Sequence, residues 1–104
     1  MDSGIAITAE KLVDVTIKKA CKIRIDNQEI IKLVGISSKD IAFKATDNIS
    51  YWLTFSQNSV FYCKICNKGP FTKKGLYLHL SRLHRYEIKA LLEEEIKREV
   101  RTAL

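Results

Sequence analysis

The chain has 104 residues, 46% of them hydrophobic and 29% charged, which is the make-up of a folded domain and excludes wholesale disorder. No apolar run approaches the roughly 20 residues that span a bilayer, and residues 1–10 lack a basic flank followed by an apolar stretch. An intracellular protein, cytoplasmic or nuclear, with no membrane partner is therefore expected. The net charge is +6. Residues 1–60 carry eight Lys or Arg against seven Asp or Glu, residues 61–86 carry six against none, and residues 87–104 carry four against five. Nearly the whole excess sits on one quarter of the chain, the electrostatic footprint of a module that meets phosphate.

In chain order, residues 11–55 repeatedly alternate apolar and polar side chains, as in Val13-Asp14-Val15-Thr16-Ile17, Cys21-Lys22-Ile23-Arg24-Ile25 and Ile49-Ser50-Tyr51-Trp52-Leu53. Period two predicts strands with one buried face. Asp26-Asn27-Gln28-Glu29, Ser37-Ser38-Lys39-Asp40 and Thr46-Asp47-Asn48 supply turn residues between them. The expectation is an α+β chain whose residues 1–58 form a small antiparallel β-sheet or barrel of about four or five strands. A helix is the second choice for the first run, because Leu12, Val13, Ile17, Ala20 and Cys21 also share a helical face. Ser56-Gln57-Asn58-Ser59 has no strong pattern and is the expected hinge before a second unit over 59–85. In 86–104, Ile88, Leu91, Leu92, Ile96 and Val100 recur at helical spacing. This amphipathic helix must bury its stripe against the rest of the chain or against a second copy in a homodimer.

Three cysteines are present. Cys21 stands alone among apolar neighbours, where a thiol packs as a small hydrophobe. Cys63-Lys64-Ile65-Cys66 is instead followed by twelve residues, His79, four residues and His84. Two thiolates on a knuckle and two imidazoles about one helical turn apart complete a tetrahedron suited to one zinc ion per chain. With all four positions filled by protein, no site remains for water or substrate. No Ser, His and Asp set and no phosphate-cradling glycine loop is present either. An enzyme is not expected.

On these ligands, residues 61–84 resemble the classical two-Cys, two-His zinc finger, a β-hairpin followed by a helix. Small single-finger proteins similar to it occur among archaea and their viruses. Phe61 and Leu76 occupy the family's miniature-core positions, whereas its third core residue falls at Pro70 and the available phenylalanine, Phe71, comes one place later. The resemblance implies base contacts from Thr72, Lys74, Gly75 and Leu78. That set is poor in base readers. Lys64, Lys68, Thr72, Lys73, Lys74, Arg82 and Arg85 are the candidate nucleic-acid residues, contacting mainly phosphate on duplex DNA, as in a regulator of transcription. RNA is a further candidate partner. The competing expectation is a protein-interaction module that uses the finger helix, with Tyr77 and Leu78 as an apolar patch, and the C-terminal helix.

Overall fold

Burial along the first segment falls on Ala9, Leu12, Val13, Thr16, Ile17, Ala20 and Cys21, with Val15 buried beside them. Those spacings of three and four residues share a face only in a helix. The computed structural model describes residues 2–103, and side chains over 4–103. Met1 and Leu104, expected in the sheet and in the C-terminal helix, lie outside the described residues. In place of the predicted N-terminal sheet or barrel the chain forms three α-helices, α1 (Asp2–Ala20), α2 (Asn27–Val34) and α3 (Lys39–Leu53), with a single 3-10 turn at Ile36–Ser38. Then come two short strands, β1 (Thr54–Gln57) and β2 (Val60–Cys63), and two further helices, α4 (Lys73–Leu83) and α5 (Arg85–Ala103).

The physical reason for the correction is visible in α3. A strand over 49–53 would place Ile49, Tyr51 and Leu53 on one face. Ile49 and Leu53 are buried, yet Tyr51 is 85% exposed. The buried set Ala42, Ala45, Thr46, Ile49 and Leu53 follows helical spacing. The polar clusters expected as turns are largely helix starts. Asp26 caps α2 by accepting the Gln28 N–H at 3.0 Å, and Glu29 lies in its first turn. Ser38 precedes α3, with Asp40 in its first turn.

Helices α1, α3 and α5 pack against one another, and α2 lies against α1 and α3. The α5 stripe of Ile88, Leu92 and Ile96 is buried in this packing within the chain. The buried Thr16 and Thr46 hydroxyls donate to the Leu12 and Ala42 carbonyls at 2.7 and 2.9 Å, so neither is left unpaired. Lys19 Nζ donates to Thr46 Oγ1 and Asp47 Oδ1, both at 2.7 Å. Asn48 Nδ2 donates to the buried Glu95 at 2.8 Å.

Helix α1 ends with the Ile23 N–H on the Lys18 carbonyl and the Lys22 N–H on the Lys19 carbonyl. This is the Schellman arrangement, whose left-handed residue is usually glycine. Here it is Lys22, at φ 61°, a substitution that costs about 1 kcal/mol.

The expected hinge 56–59 is the end of β1 and the turn to β2, with Gln57 paired to Val60. Thr54 Oγ1 donates to the Ala20 carbonyl at 2.8 Å and Lys64 N–H to the Leu53 carbonyl at 2.9 Å. The hairpin is therefore fastened to the ends of α1 and α3.

Candidate metal centre

Cys63 ends β2 and Cys66 sits on the knuckle that follows. The knuckle is closed by Asn67 N–H on the Cys63 carbonyl at 2.8 Å and by Cys63 N–H on the Lys68 carbonyl at 3.0 Å. Asn67, at φ 62°, takes the left-handed turn position that asparagine tolerates. Past the knuckle, Phe61 and Phe71 exchange backbone hydrogen bonds of 2.9 and 2.8 Å. The finger hairpin expected from the resemblance is thus reduced to one bridge, and the main partner of β2 is β1, outside the resembling segment. Gly69 permits the return: a Cβ there would lie 2.5 Å from the Tyr62 ring and 2.9 Å from the Phe61 carbonyl oxygen.

Thr72 caps α4 by accepting the Gly75 N–H at 3.0 Å. Its side chain serves the helix start. From there α4 buries Leu76 and Leu80 and carries His79 on the adjoining face. His84 stands between α4 and α5, its N–H on the Leu80 carbonyl and its carbonyl accepting from Ile88 N–H. A histidine at this joint is held by both helices.

The ligand atoms of Cys63, Cys66, His79 and His84 all lie within 4.8 Å of one another. Cys66 Sγ and His79 Nε2 are 3.3 Å apart, close to the edge of about 3.6 Å for a tetrahedron with zinc's bond lengths to sulfur and nitrogen. His84 Nε2 is buried with no hydrogen-bond partner, while its Nδ1 lies 3.0 Å from Glu87 Oε1. A carboxylate on Nδ1–H leaves the Nε2 lone pair for a metal, which accounts for an otherwise unsatisfied buried nitrogen. Glu87 joins the candidate site unexpectedly, although an acid one helical turn after a candidate ligand is a usable signal. Glu87→Gln is expected to weaken metal affinity by roughly tenfold or more. Competition against a chromogenic chelator measures it.

Electrostatics around the cluster favours the ligand form at His79 and Cys66 and opposes it at Cys63 and His84. Burial pushes the His79 pKa down, helped by His84 and Lys68, which favours the neutral ring that a metal ligand needs. Burial opposes ionisation of Cys66, but the Lys68 amide and the His84 ring favour its thiolate, and the net direction is down. Burial raises Cys63. At His84 burial favours the neutral ring, but contacts with Cys66 and Glu87 outweigh it and raise the pKa.

Cys21, fully buried in the helical core, has its thiol pushed up to about 12 by burial and by Cys63. Metal content is therefore expected to fall to zero in Cys63→Ala and to stay at one ion per chain in Cys21→Ala. Iodoacetamide should spare Cys21 in the folded protein. Metal analysis and mass mapping check both outcomes, and metal retained by Cys63→Ala would refute the ligand set.

Of the candidate nucleic-acid residues, Lys64, Lys68, Lys73, Lys74 and Arg82 are exposed and make no ion pair among the described residues. Arg85 instead pairs with Glu10 of α1 at 2.9 Å. The expected Tyr77 and Leu78 patch does not form: Tyr77 donates to Asp14 Oδ1 at 2.6 Å and Leu78 is half-buried. Leu83 and Tyr86, which flank His84 in the sequence, are exposed. Among the described residues no helix is long and apolar enough to cross a membrane. Comparison of the chain with protein-family models, with curated proteins and with solved structures finds no match.

Proposed function

We propose that the protein is a zinc-stabilised nucleic-acid-binding protein, with residues 61–84 as a two-Cys, two-His finger that holds duplex DNA mainly by its phosphates, in the manner of a transcription regulator. Zinc is the metal that suits two thiolates and two imidazoles in a closed tetrahedron. When bound it supplies fold stability; with no open coordination position, no catalytic step is assigned to it. The observation that carries the reading is the charge at the start of α4. Acids normally occupy a helix's first turn, where they complement the macrodipole, yet here the first turn holds Lys73 and Lys74 and no acid. Such an arrangement works against helix stability and favours an anionic partner.

Titration of zinc-loaded protein with random-sequence duplex DNA at several salt concentrations tests it. If about four cations meet phosphate, the logarithm of the binding constant falls with the logarithm of salt at a slope near −3.6. Lys73→Ala with Lys74→Ala should weaken all sequences alike and make the slope shallower by about 2. Absence of duplex binding at low salt removes the proposal. It would favour the protein-interaction reading, for which the exposed Leu83 and Tyr86 beside His84 are the supporting observation.

A further inference from the structure

A second basic surface lies where the ends of α1 and α3 meet the hairpin. Two grooves adjoin there, sharing Lys22 and Ser50. The larger, about 570 Å³, is bordered by Arg24, Ile25 and Phe43, and the second by Tyr51, Phe55 and Lys64. Lys22, Arg24 and Lys64 are exposed and make no ion pair among the described residues, and the one acid in either lining, Asp47, is held by Lys19 at 2.7 Å. Aromatic rings accompany the charge. Tyr51 is 85% exposed on the last turn of α3, and Phe55, 43% exposed, stacks on Tyr62 with ring centroids 4.9 Å apart and planes 11° from parallel. A parallel pair of rings with one member half open is a stack that a planar base can extend.

We infer that this double groove binds a single nucleic-acid strand, with Lys22, Arg24 and Lys64 on the phosphates and Tyr51 and Phe55 stacking bases. Cations alone would serve any anion; aromatic faces beside them select unpaired bases. A duplex hides those faces in its own stack, so it can use the charge but not the rings. Lys22 adds an independent sign. It is a lysine where the backbone, at φ 61°, favours glycine, so its side chain comes at a local cost that an anionic partner would offset. The site shares Lys64 with the finger's candidate phosphate contacts, whereas Lys73, Lys74 and Arg82 of α4 line neither groove.

The test is fluorescence anisotropy of zinc-loaded protein with labelled oligo-dT and with oligo-rU of equal length, across salt. Three phosphate contacts give a slope of about −2.1. Lys22→Gly should make it shallower by about 0.7 and weaken binding severalfold while the melting temperature holds or rises, because glycine suits that backbone. Tyr51→Ala should cost about tenfold with the slope unchanged. Tighter binding of the dT or the rU strand tells DNA from RNA as the source, and either supports the site. The proposal is overturned if both variants bind like the parent protein, or if polyglutamate of equal charge competes as well as the oligonucleotide. It is overturned too if Lys73→Ala with Lys74→Ala abolishes single-strand binding that Lys22→Gly retains. Single-strand binding without duplex binding would leave the groove standing and remove the duplex reading; the converse would do the reverse.

Discussion

Chelation of the metal is expected to unfold the whole chain, not the ligand-bearing segment alone. Phe61, Cys63, Leu76 and Leu80 belong to the same buried cluster as Leu12, Ile17 and Leu92. The hairpin is tied to α1 and α3, and α5, whose stripe completes the helical core, starts at the residue after His84. A structural zinc contributes on the order of 10–16 kcal/mol to the folding of a finger peptide. A domain of this size holds only about 5–15 kcal/mol of net stability in total. Losing the first therefore exceeds what the helices retain without α4 and the anchored start of α5. A sheet over residues 11–55 with a core of its own, as the alternation there predicts, would instead survive chelation. Hydrogen exchange with and without chelator separates the two outcomes: α1 and α3 amides should lose protection together with those of α4. Full protection kept in α1 and α3 would show that the helical part folds alone.

The cluster of Cys63, Cys66, His79 and His84, which could hold a metal ion, was legible in the sequence because its evidence is chemical. Four soft or borderline donors at fixed spacing have few other uses, and tertiary context does not alter it. The first half was not legible in the same way, because its evidence is periodic and the two periods overlap. Val13, Val15 and Ile17 satisfy alternation, yet all three are buried because α1 is covered over a wide arc by α3, α5 and α2. A helix covered on several sides loses the clean polar face that distinguishes it. Reading the longer span, Ala9 to Cys21, separates the two, since spacing by three and four persists there and alternation does not.

The turn residues misled for a related reason. Asp, Asn, Ser and Thr favour both β-turns and helix N-caps, so Asp26 and Ser38 read equally well as either until the following residues are weighed. Glu29, three residues after Asp26, was the available sign of a helix start. The exposure of Tyr51 and Trp52 was invisible as well. Aromatics in an apolar run are more often core, and only the helical placement of α3 turns them outward.

Leu92→Ala is expected to loosen the metal centre although no ligand is touched. Leu92 is fully buried in α5, eight residues beyond His84 and so about 12 Å along the helix from it. Truncating a buried leucine costs about 2–5 kcal/mol, the transfer loss plus the cavity left behind. If the metal binds only the folded chain and the metal-free chain is unfolded, that loss appears twice: as a lower melting temperature of the loaded protein, and as weaker apparent metal affinity. At the lower bound of about 2 kcal/mol, with about 1.4 kcal/mol for each factor of ten, the affinity falls roughly 30-fold. Chelator competition and thermal melts on one preparation give both numbers, which should agree when expressed as free energy. A large fall in melting temperature with unchanged metal affinity would mean that the centre assembles independently of the helical core. The expected effect of chelation on α1 and α3 would then be abandoned with it.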